Sequence, residues 1–561
     1  MEKKALNREK GWGDPWIPGI PLLLIWALAI WTIDPRGEFM INDDWTFIQP
    51  FEALLGQGKI MATGWGGGGP ALVVQLLWAG LFTSLFGFSI TTLRVSVLVM
   101  GVMGSLGMLV LLRRVGASRW ISFLGAAALT LNPLFLSQGF TFMTDVIHSS
   151  LAILSLLVLH VGVAKEKKMI IAGGLLLALA SILSRQIGIV IPLGFMAACL
   201  LHPRGAKLGR AGMVLMSISL TFVPWIGYEV FLGLVGSTPV TKHQVFGNIL
   251  GYMVKEGWPG YLYFIYTRLV HAALAYSAFF AAPVLALQAG EFLKTRPARV
   301  FVYLVAAVFV IAQAAAAAGL VHIPTLLYKN IVIDFGIGPL LFKDSYVLGI
   351  RRLPAMPTSL YLGVLLVTVL SLAAVLARAA GLARRVYKKE ETDFTALTAL
   401  AAAVFYLGII TLTGFHDRYL IPVIAFFIIW LTADWPGGFP ARPGRWAWAV
   451  SLALVGSVGL FSILGTHDFM ATRRAAAEAH HYLLDDLKVA PCDVDGGFEF
   501  NGYHCHREDF RPRPGLSWWW VGREDYLVTL GPLPGYRTVR TFPFHRLMGP
   551  DGAVFVLRPS G

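Results

Sequence analysis

The sequence predicts an all-α polytopic membrane protein with about 13 transmembrane helices and a small α/β domain outside the membrane near the C-terminus. Of the 561 residues, 56% are hydrophobic and only 14% are charged, whereas a soluble protein has about 25% charged residues. Apolar runs of about 18 or more residues, long enough to cross a bilayer as a helix, recur along most of the chain. From about residue 465 onward, charged residues, turns and short alternating runs replace them.

The apolar segments that we predict to be transmembrane helices lie near residues 16–33, 91–112, 120–138, 146–163, 168–184, 187–202, 211–231, 269–290, 299–318, 358–377, 394–412, 420–433 and 446–464. No small-residue cleavage site follows the first run, so we interpret it as a retained span rather than a signal peptide. The net charge of +14 comes from Lys and Arg in short clusters between the runs. This distribution indicates topology signals and no nucleic-acid partner.

The distribution of Lys and Arg predicts the orientation of these segments. Seven segments, beginning with the N-terminus, carry 23 Lys and Arg in 69 residues, whereas the alternate segments carry 10 in 127 residues. Because basic loops stay in the cytoplasm, the N-terminus is predicted to be cytoplasmic. An odd number of spans then places the C-terminus outside, together with the adjacent carboxylates Asp43 and Asp44.

The segment 70–88, PALVVQLLWAGLFTSLFGF, is apolar enough to span the membrane but is not counted as a span. Counting it would reverse the charge pattern of every later loop. We therefore predict a helix that lies in the outer interface or re-enters from that side. The preceding TGWGGGGP is predicted to be a flexible hinge.

The chain is predicted to divide into a transmembrane domain, residues 1–465, and a small α/β domain, residues 466–561. The second domain begins with a probable helix, ATRRAAAEAHHYLLDDLKV, and contains the alternating runs DYLVTLG and GAVFVLRPS. It also contains Cys492 and Cys505. An oxidising compartment would allow these two residues to form a disulfide, and two unbridged cysteines are the alternative.

Ionisable residues near the outer ends of spans are candidates for function, because charge near the membrane interior is costly. A carboxylate can accept a proton from an attacking hydroxyl, and the guanidinium fork of arginine matches the oxygens of a phosphate. The outer candidates are Asp43, Asp44, Glu52, Asp145, Arg185, Lys329, Arg351, Arg352, His416, Asp417 and Arg418.

Each main candidate also has a structural interpretation that the sequence leaves open. Asp43 and Asp44 are suited to capping a helix that begins at Trp45, and Asp145 is suited to capping the fourth span. Arg185 and Arg418 are suited to anchoring helix ends among lipid headgroups. The run SWWWVG at 517–522 fits packing or a membrane-facing surface, with a sugar-stacking platform as the alternative. The sequence has no Walker loop, which argues against ATP-driven transport by this chain alone.

The arrangement resembles the GT-C membrane glycosyltransferases, in the branch of the protein mannosyltransferases and lipid A aminoarabinose transferases. The shared features are an outward acidic pair after the first span, an amphipathic helix, a hinge, and an apolar interface helix followed by LFGFSITTLRVSVLVMGVMGSLGMLVLLRRVG. The resemblance covers roughly residues 35–230, and FHDRYLIPVIAFFIIW near 415–430 adds a late-helix motif. Between these parts only the hydropathy agrees.

In these families the first acid of the pair is the proposed catalytic base, and Asp43 takes its place here. Asp44 takes the second place, where Glu is commoner, and Phe47 takes the place of the aromatic residue that follows. Asp145 matches a further outward acid, and Arg185 with Gly188 matches a basic residue before a glycine-containing turn. A Lys or His before the proline of the interface helix is replaced by Gly69 in this sequence, which puts the identity of the acceptor in doubt.

The resemblance implies transfer of a sugar from a polyprenyl-phosphate donor to an acceptor at the outer face, with inversion at the anomeric carbon. The implied catalytic residues are Asp43, Asp44 and Asp145. The residues implied to bind the donor phosphate are Arg185, Arg418, Lys329 and Arg351. The residues implied to position the substrates are Phe47, Glu52, His416 and Tyr419.

The sequence leaves the acceptor open: a glycan, a lipid or a protein. No cofactor is certain; a divalent metal would use Asp43 and Asp145 as ligands. Membrane lipids are the other expected partners, and the expected location is the bacterial inner membrane with the C-terminal domain in the periplasm or outside the cell. The alternative function is a transporter or flippase for a lipid-linked or anionic solute, although the sequence lacks the internal symmetry typical of such proteins. A third alternative is a membrane scaffold whose outer domain binds a partner.

Overall fold

Helices make up most of the part of the chain that the computed structural model describes, which is residues 16–58, 71–235, 330–413, 416–435 and 443–560, together with most of 255–317. The helices are α1 (Trp16–Ile33), α2 (Asp44–Gln57), α3 (Val73–Phe86), α4 (Ile90–Arg114), α5 (Arg119–Thr130), α6 (Pro133–Gly139), α7 (Thr144–Ala164), α8 (Lys168–Ser184), α9 (Val190–Leu201), α10 (Pro203–Leu208), α11 (Arg210–Ser217), α12 (Val223–Leu234), α13 (Ala275–Phe292), α14 (Arg296–Ala317), α15 (Thr358–Tyr387), α16 (Phe394–Thr413), α17 (Ile421–Ala433), α18 (Arg445–His481) and α19 (Phe498–Cys505).

The protein is a multi-pass membrane protein. Where their residues are described, the 13 predicted segments fall almost entirely on helices, and segment 120–138 is interrupted at residues 131–132. Among the described residues, seven helices are long and apolar enough to cross a membrane, or eight if the bent pair α5–α6 forms one span. Shorter apolar helices, such as α1 and α8, occupy further predicted segments. The total of 13 spans therefore stays a prediction.

The predicted span 120–138 is broken into α5 and α6, which meet at an angle of 64°. Pro133 opens α6, and the side chain of Asn132 accepts a hydrogen bond from the backbone N–H of Leu134 at 2.9 Å. A capping residue followed by proline at the first helical position starts a new helix rather than continuing the old one. The break brings residues 139–143 to the start of α7, beside the acidic pair.

The membrane helices α7 and α8 form a closely packed hairpin. A Cβ atom added at Gly162 would lie 2.7 Å from the backbone nitrogen of Ile171 in α8. A Cβ atom at Gly174 would lie 2.9 Å from the backbone nitrogen of Leu159 in α7. Small residues permit such close helix contacts in membranes, and the contact fixes the positions of the ends of α7 and α8 that carry Asp145 and Arg185.

The acidic pair is followed by two helices that the sequence predicts. Helix α2 begins at Asp44, and α3 lies within the predicted interface segment 70–88. The buried side chain of Gln75 in α3 donates a hydrogen bond to the backbone oxygen of Phe142 at 2.5 Å, which joins α3 to the α6–α7 connection. The predicted hinge, residues 63–70, lies outside the described residues.

The C-terminal part of the chain contains a four-stranded sheet with strand order β3–β4–β6–β5. Its strands are β3 (Val494–Asp495), β4 (Tyr526–Thr529), β5 (Tyr536–Phe544) and β6 (Gly552–Pro559), numbered after a hairpin of β1 (Val332–Ile333) and β2 (Gly336–Ile337). Strands β3 and β4 are parallel, whereas β4–β6 and β5–β6 are antiparallel. The alternating runs DYLVTLG and GAVFVLRPS contain β4 and β6, respectively. Cys492 and Cys505 form a disulfide.

Helix α18 connects the membrane helices to this sheet without interruption. It runs from Arg445 to His481 and therefore continues through the predicted domain boundary at 465/466. Its C-terminal part packs against β5 and β6. Ala475, Ala476 and Ala479 belong to the hydrophobic core that it shares with the sheet. The division into domains 1–465 and 466–561 stays a prediction.

Candidate active site

Asp43 precedes the first residue of α2 but does not cap that helix with its side chain. Its carboxylate instead accepts a hydrogen bond from the guanidinium of Arg418 at 2.6 Å, and 20% of its side chain is exposed. The preceding residue, Asn42, has a φ of 54°. Asparagine tolerates this left-handed conformation better than most residues, and the resulting turn directs the chain into α2.

Two arginines and two carboxylates from distant parts of the chain form one cluster around Asp43. Arg418 lies between Asp43 and Asp145, with its Nε atom 3.8 Å from the Oδ2 atom of Asp145. Arg185 donates a hydrogen bond to the other carboxylate oxygen of Asp145 at 2.5 Å. The Arg185 guanidinium lies over the ring of Tyr419, 3.9 Å from its centroid. A cation over an aromatic face is favourable, so Tyr419 holds Arg185 in place.

Local backbone structure explains how Arg185 enters the cluster. It joins α8 to a single 3₁₀ turn, Gln186–Ile189, in which Gly188 packs against the preceding helix. A Cβ atom at Gly188 would lie 2.8 Å from the backbone nitrogen of Ile182. The requirement for glycine at this turn gives a physical reason for the predicted pairing of a basic residue with Gly188.

Arg418 is held by the buried carboxylate of the preceding residue. Asp417 accepts hydrogen bonds from the backbone N–H groups of Ile331 and Val332 at 2.9–3.0 Å, and from that of Arg418 at 2.8 Å. Arg418 also donates to the side-chain oxygen of Asn330 at 3.0 Å. The segment that contains Asn330 is thereby tied to the 3₁₀ turn Asp417–Leu420.

Asp44 lies beside Asp43 but is fully buried. Its two oxygens accept hydrogen bonds from the backbone N–H groups of Phe142 at 2.9 Å and of Ile41 at 3.3 Å. Burial raises the pKa of Asp44 to about 7. These contacts place Asp44 as an anchor between the α6–α7 connection and the turn before α2, with Asp43 as the carboxylate that reaches open space.

The other predicted site residues fall into different surroundings. Phe47 is buried in the hydrophobic core, and Glu52 accepts a hydrogen bond from the hydroxyl of Tyr503 at 2.8 Å. Arg351 is exposed and pairs with Asp334 at 2.8 Å. In the described part of the chain, it makes no ion pair with the cluster of Asp43, Asp145, Arg185 and Arg418. Lys329 lies outside the described residues.

A cavity of about 1150 Å³ opens next to Asp43. Three parts of the chain line it: the turn Asn42–Asp43, the segment 330–353, and the segment 506–520 of the C-terminal part. His416 also lines the cavity. The cavity gives a large substrate access to Asp43.

Residues that sequence reasoning missed hold the Asp43 turn in place. The side chain of Glu499 in α19 accepts a hydrogen bond from the backbone N–H of Asn42 at 3.1 Å and pairs with Arg473 at 3.1 Å. From α4, Arg94 donates to the backbone oxygens of Gly37 at 2.8 Å and of Phe39. The only sequence signal was the position of Arg94 inside an apolar run, where an arginine needs a partner.

The candidate metal ligands do not fit a divalent cation. Asp43 and Asp145 each accept a hydrogen bond from an arginine, Arg418 and Arg185 respectively. A guanidinium group therefore lies against one oxygen of each carboxylate, and its positive charge opposes the binding of a second cation beside it. In the described part of the chain, no group of three or more His, Cys, Asp and Glu side chains is arranged to hold a metal ion.

The carboxylate of Asp43 thus faces a large cavity and is backed by arginines. Residues 71–228 match the family model described as dolichyl-phosphate-mannose-protein mannosyltransferase. Over these residues, the predicted resemblance to the protein mannosyltransferase branch of the GT-C membrane glycosyltransferases is confirmed. No curated protein matches the chain.

The solved structures that are similar to the chain include an oligosaccharyltransferase and an ArnT. The oligosaccharyltransferase AglB from Archaeoglobus fulgidus, in complex with an inhibitory peptide and a dolichol-phosphate, has a TM-score of 0.44 and 12% identity over 83% of this chain. The chain covers only 58% of the length of AglB. ArnT from Cupriavidus metallidurans, bound to undecaprenyl phosphate, has a TM-score of 0.43 and 13% identity, with 97% of this chain and 98% of ArnT covered.

Proposed function

We propose that the protein transfers a sugar from a polyprenyl-phosphate donor to an acceptor hydroxyl at the outer face of the membrane, with inversion at the anomeric carbon. The observation that carries the proposal is the position of Asp43. Its carboxylate lines the large cavity and is backed by Arg418. Asp145 and Arg185 lie directly behind this pair. A base and a cationic phosphate site are the two elements that this reaction needs.

In the proposed reaction, the acceptor oxygen attacks the anomeric carbon while the bond between that carbon and the phosphate oxygen breaks. The acceptor proton passes to the carboxylate of Asp43, and the electron pair of the broken bond leaves with the polyprenyl phosphate. Arg185 and Arg418 neutralise the charge on this leaving group. Because the acceptor attacks on the side opposite the phosphate, the configuration at the anomeric carbon inverts.

Asp145 has the role of holding both arginines rather than that of a second base. It is buried, one of its oxygens is bonded to Arg185, and the other faces Arg418. Tyr419 supports the same arginines from the other side through its ring, at 3.9 Å from Arg185 and 5.3 Å from Arg418. The proposed location is the bacterial inner membrane, with the N-terminus in the cytoplasm and the cavity and the C-terminal part on the periplasmic or outer side.

The test is mass spectrometry of the polyprenyl-phosphate sugars in membranes that contain the wild type or Asp43→Asn. We expect the wild type to deplete one lipid-linked sugar and Asp43→Asn to restore it, because loss of a general base costs about 10²- to 10⁴-fold in rate. Asp493→Asn is a matched control, since Asp493 is 22% exposed and pairs with Arg523 at 2.6 Å away from the cavity. If the pools of lipid-linked sugars are identical with the wild type, Asp43→Asn and Asp493→Asn, and all three proteins are folded, the transporter or scaffold alternative is favoured.

A further inference from the structure

The cavity beside Asp43 carries an aromatic surface that the proposed transfer step does not use. Trp518 and Tyr346 both line the cavity and are 54% and 53% exposed, respectively. Their ring centroids lie 6.2 Å apart, and the ring planes differ by only 25°. The two rings are therefore stacked, and each side chain keeps about half of its surface exposed; we call this pair the aromatic ledge.

The aromatic ledge faces water rather than lipid. The segment that leads to Trp518 contains the exposed charged residues Arg507 and Glu508, which line the same cavity. Charged side chains beside a surface exclude it from the hydrocarbon core of a membrane, because their burial there costs several kcal/mol. Two large exposed aromatic side chains that lie together in a cavity are typical of a ligand-binding surface.

The ledge is held rigidly by the residues below it. Trp519 and Trp520 are buried, and Trp520 packs edge-to-face against Trp45 with centroids 5.5 Å apart. The turn that carries Tyr346 is joined to the C-terminal part by a buried ion pair between Lys343 and Glu524 at 2.5 Å. A surface that is fixed before the ligand arrives loses little entropy on binding.

We propose that the aromatic ledge binds a sugar ring of the acceptor, and that the acceptor is a saccharide chain. This inference rests on the proposed transfer to an acceptor hydroxyl. Flat aromatic faces stack on the C–H faces of a pyranose, and Arg351 and Glu508 on the same cavity supply donors and acceptors for sugar hydroxyls. The cavity volume of about 1150 Å³ exceeds the usual range of small-ligand sites, about 300–1,000 Å³, and leaves room for more than one sugar unit.

A saccharide fits the cavity wall better than the other two acceptor classes. The acyl chains of a lipid acceptor need a continuous apolar wall, whereas charged residues of both signs interrupt this one. A peptide acceptor commonly adds to a strand edge or a hydrophobic groove. Of the described strands, only Ile333 in β1 contributes to the cavity lining.

The experiment uses the purified full chain added to membranes of the source organism from which its gene has been deleted. Transfer is followed as loss of the polyprenyl-phosphate sugar and appearance of a product, whose susceptibility to protease and partition between water and chloroform–methanol are then measured. Trp518→Ala is expected to lower transfer at least 10-fold while the affinity for undecaprenyl phosphate stays unchanged. Trp120→Ala is the matched control, because Trp120 is 52% exposed on α5 and does not line the cavity.

A product that resists protease, stays in the aqueous phase and is lost selectively in Trp518→Ala supports the inference. Equal transfer by the Trp518→Ala and Trp120→Ala variants overturns the role of the ledge. A product that protease degrades, or that partitions into the organic solvent, overturns the saccharide assignment. Trp518→Phe, which keeps an aromatic face, should retain most of the transfer, so it separates stacking from misfolding. If the wild type binds undecaprenyl phosphate but transfers nothing, the proposed function itself fails and the inference fails with it.

Discussion

Replacement of Arg185 by Gln tests the assignment of the phosphate site most directly. The guanidinium of Arg185 is one of the two cationic groups that we assign to the donor phosphate. A hydrogen bond to a charged group contributes about 1.5–3 kcal/mol. Its loss should therefore raise the Kd for undecaprenyl phosphate roughly 10- to 150-fold.

The structure provides a matched control for the damage that the substitution does to the fold. Arg185 pairs with Asp145, and Arg378 on α15 pairs with the buried Asp434 and does not line the cavity. Removal of one partner from a buried ion pair costs about 3–5 kcal/mol of stability. The Arg185→Gln and Arg378→Gln variants should therefore lose similar stability, and only Arg185→Gln should lose phosphate affinity.

The assay is titration of undecaprenyl phosphate into the purified variants, read by native mass spectrometry, with the thermal midpoint measured in parallel. Arg185→Lys refines the result, because lysine keeps the charge but loses the fork and the stacking on Tyr419. It should bind with an intermediate affinity. If Arg185→Gln binds undecaprenyl phosphate as tightly as Arg378→Gln does, the phosphate site does not include Arg185 and the assignment is refuted.

Three further predictions concern the supports of the site. Because burial raises the pKa of Asp44 to about 7, the folded protein holds a proton that the unfolded chain releases above about pH 4. The thermal midpoint should therefore fall as the pH rises from about 4 to about 7, and Asp44→Asn should lose this part of the dependence. Replacement of Cys492 and Cys505 by Ser opens a loop of 13 residues and should cost about 3 kcal/mol, measured as a lower thermal midpoint in detergent. Because Asp43 and Asp145 are bonded to arginines, EDTA should leave the transfer rate unchanged in a radioactive-donor assay.

The sequence predicted the helices well because their apolar runs are long, and it failed where hydropathy and helix formation diverge. Helix α18 joins the predicted span 446–464 to the helix predicted in ATRRAAAEAHHYLLDDLKV without a break, whereas the fall in hydropathy alone placed a domain boundary between them. The predicted span 120–138 is broken at Asn132–Pro133, because hydropathy does not register a proline and its cap. Strand β5 was missed since its residues are mostly exposed and do not alternate clearly.

The members of the site could be listed from the sequence, but their partners could not. The charge pattern of the loops indicates a side of the membrane for Asp43 and Arg418, yet their contact joins residues that are 375 positions apart. Such a contact depends on the packing of the helices, which a single sequence does not encode in any local pattern. Glu499 gave no signal at all, because a carboxylate in a polar domain is ordinary until the fold buries it against Asn42 and Arg473.

The ion pair between Asp43 and Arg418 leads to a prediction that links the two halves of the proposed reaction. A carboxylate bonded to an arginine at 2.6 Å is a poor base, because the cation stabilises its charged form. A donor phosphate that binds Arg418 competes with Asp43 for the guanidinium and would release the carboxylate to accept a proton. The base is then available only when the donor is bound.

Asp43→Asn should therefore bind undecaprenyl phosphate more tightly than the wild type does, although it transfers no sugar. The partly exposed charge of Asp43 opposes the phosphate by about 1–2 kcal/mol, which corresponds to a roughly 5- to 30-fold lower Kd. Titration of undecaprenyl phosphate, read by native mass spectrometry, measures this Kd. The control is Asp493→Asn, which removes a similarly exposed charge away from the cavity and should leave the Kd unchanged. An unchanged or higher Kd for Asp43→Asn would mean that Arg418 does not contact the phosphate, and the release of Asp43 would then need another cause.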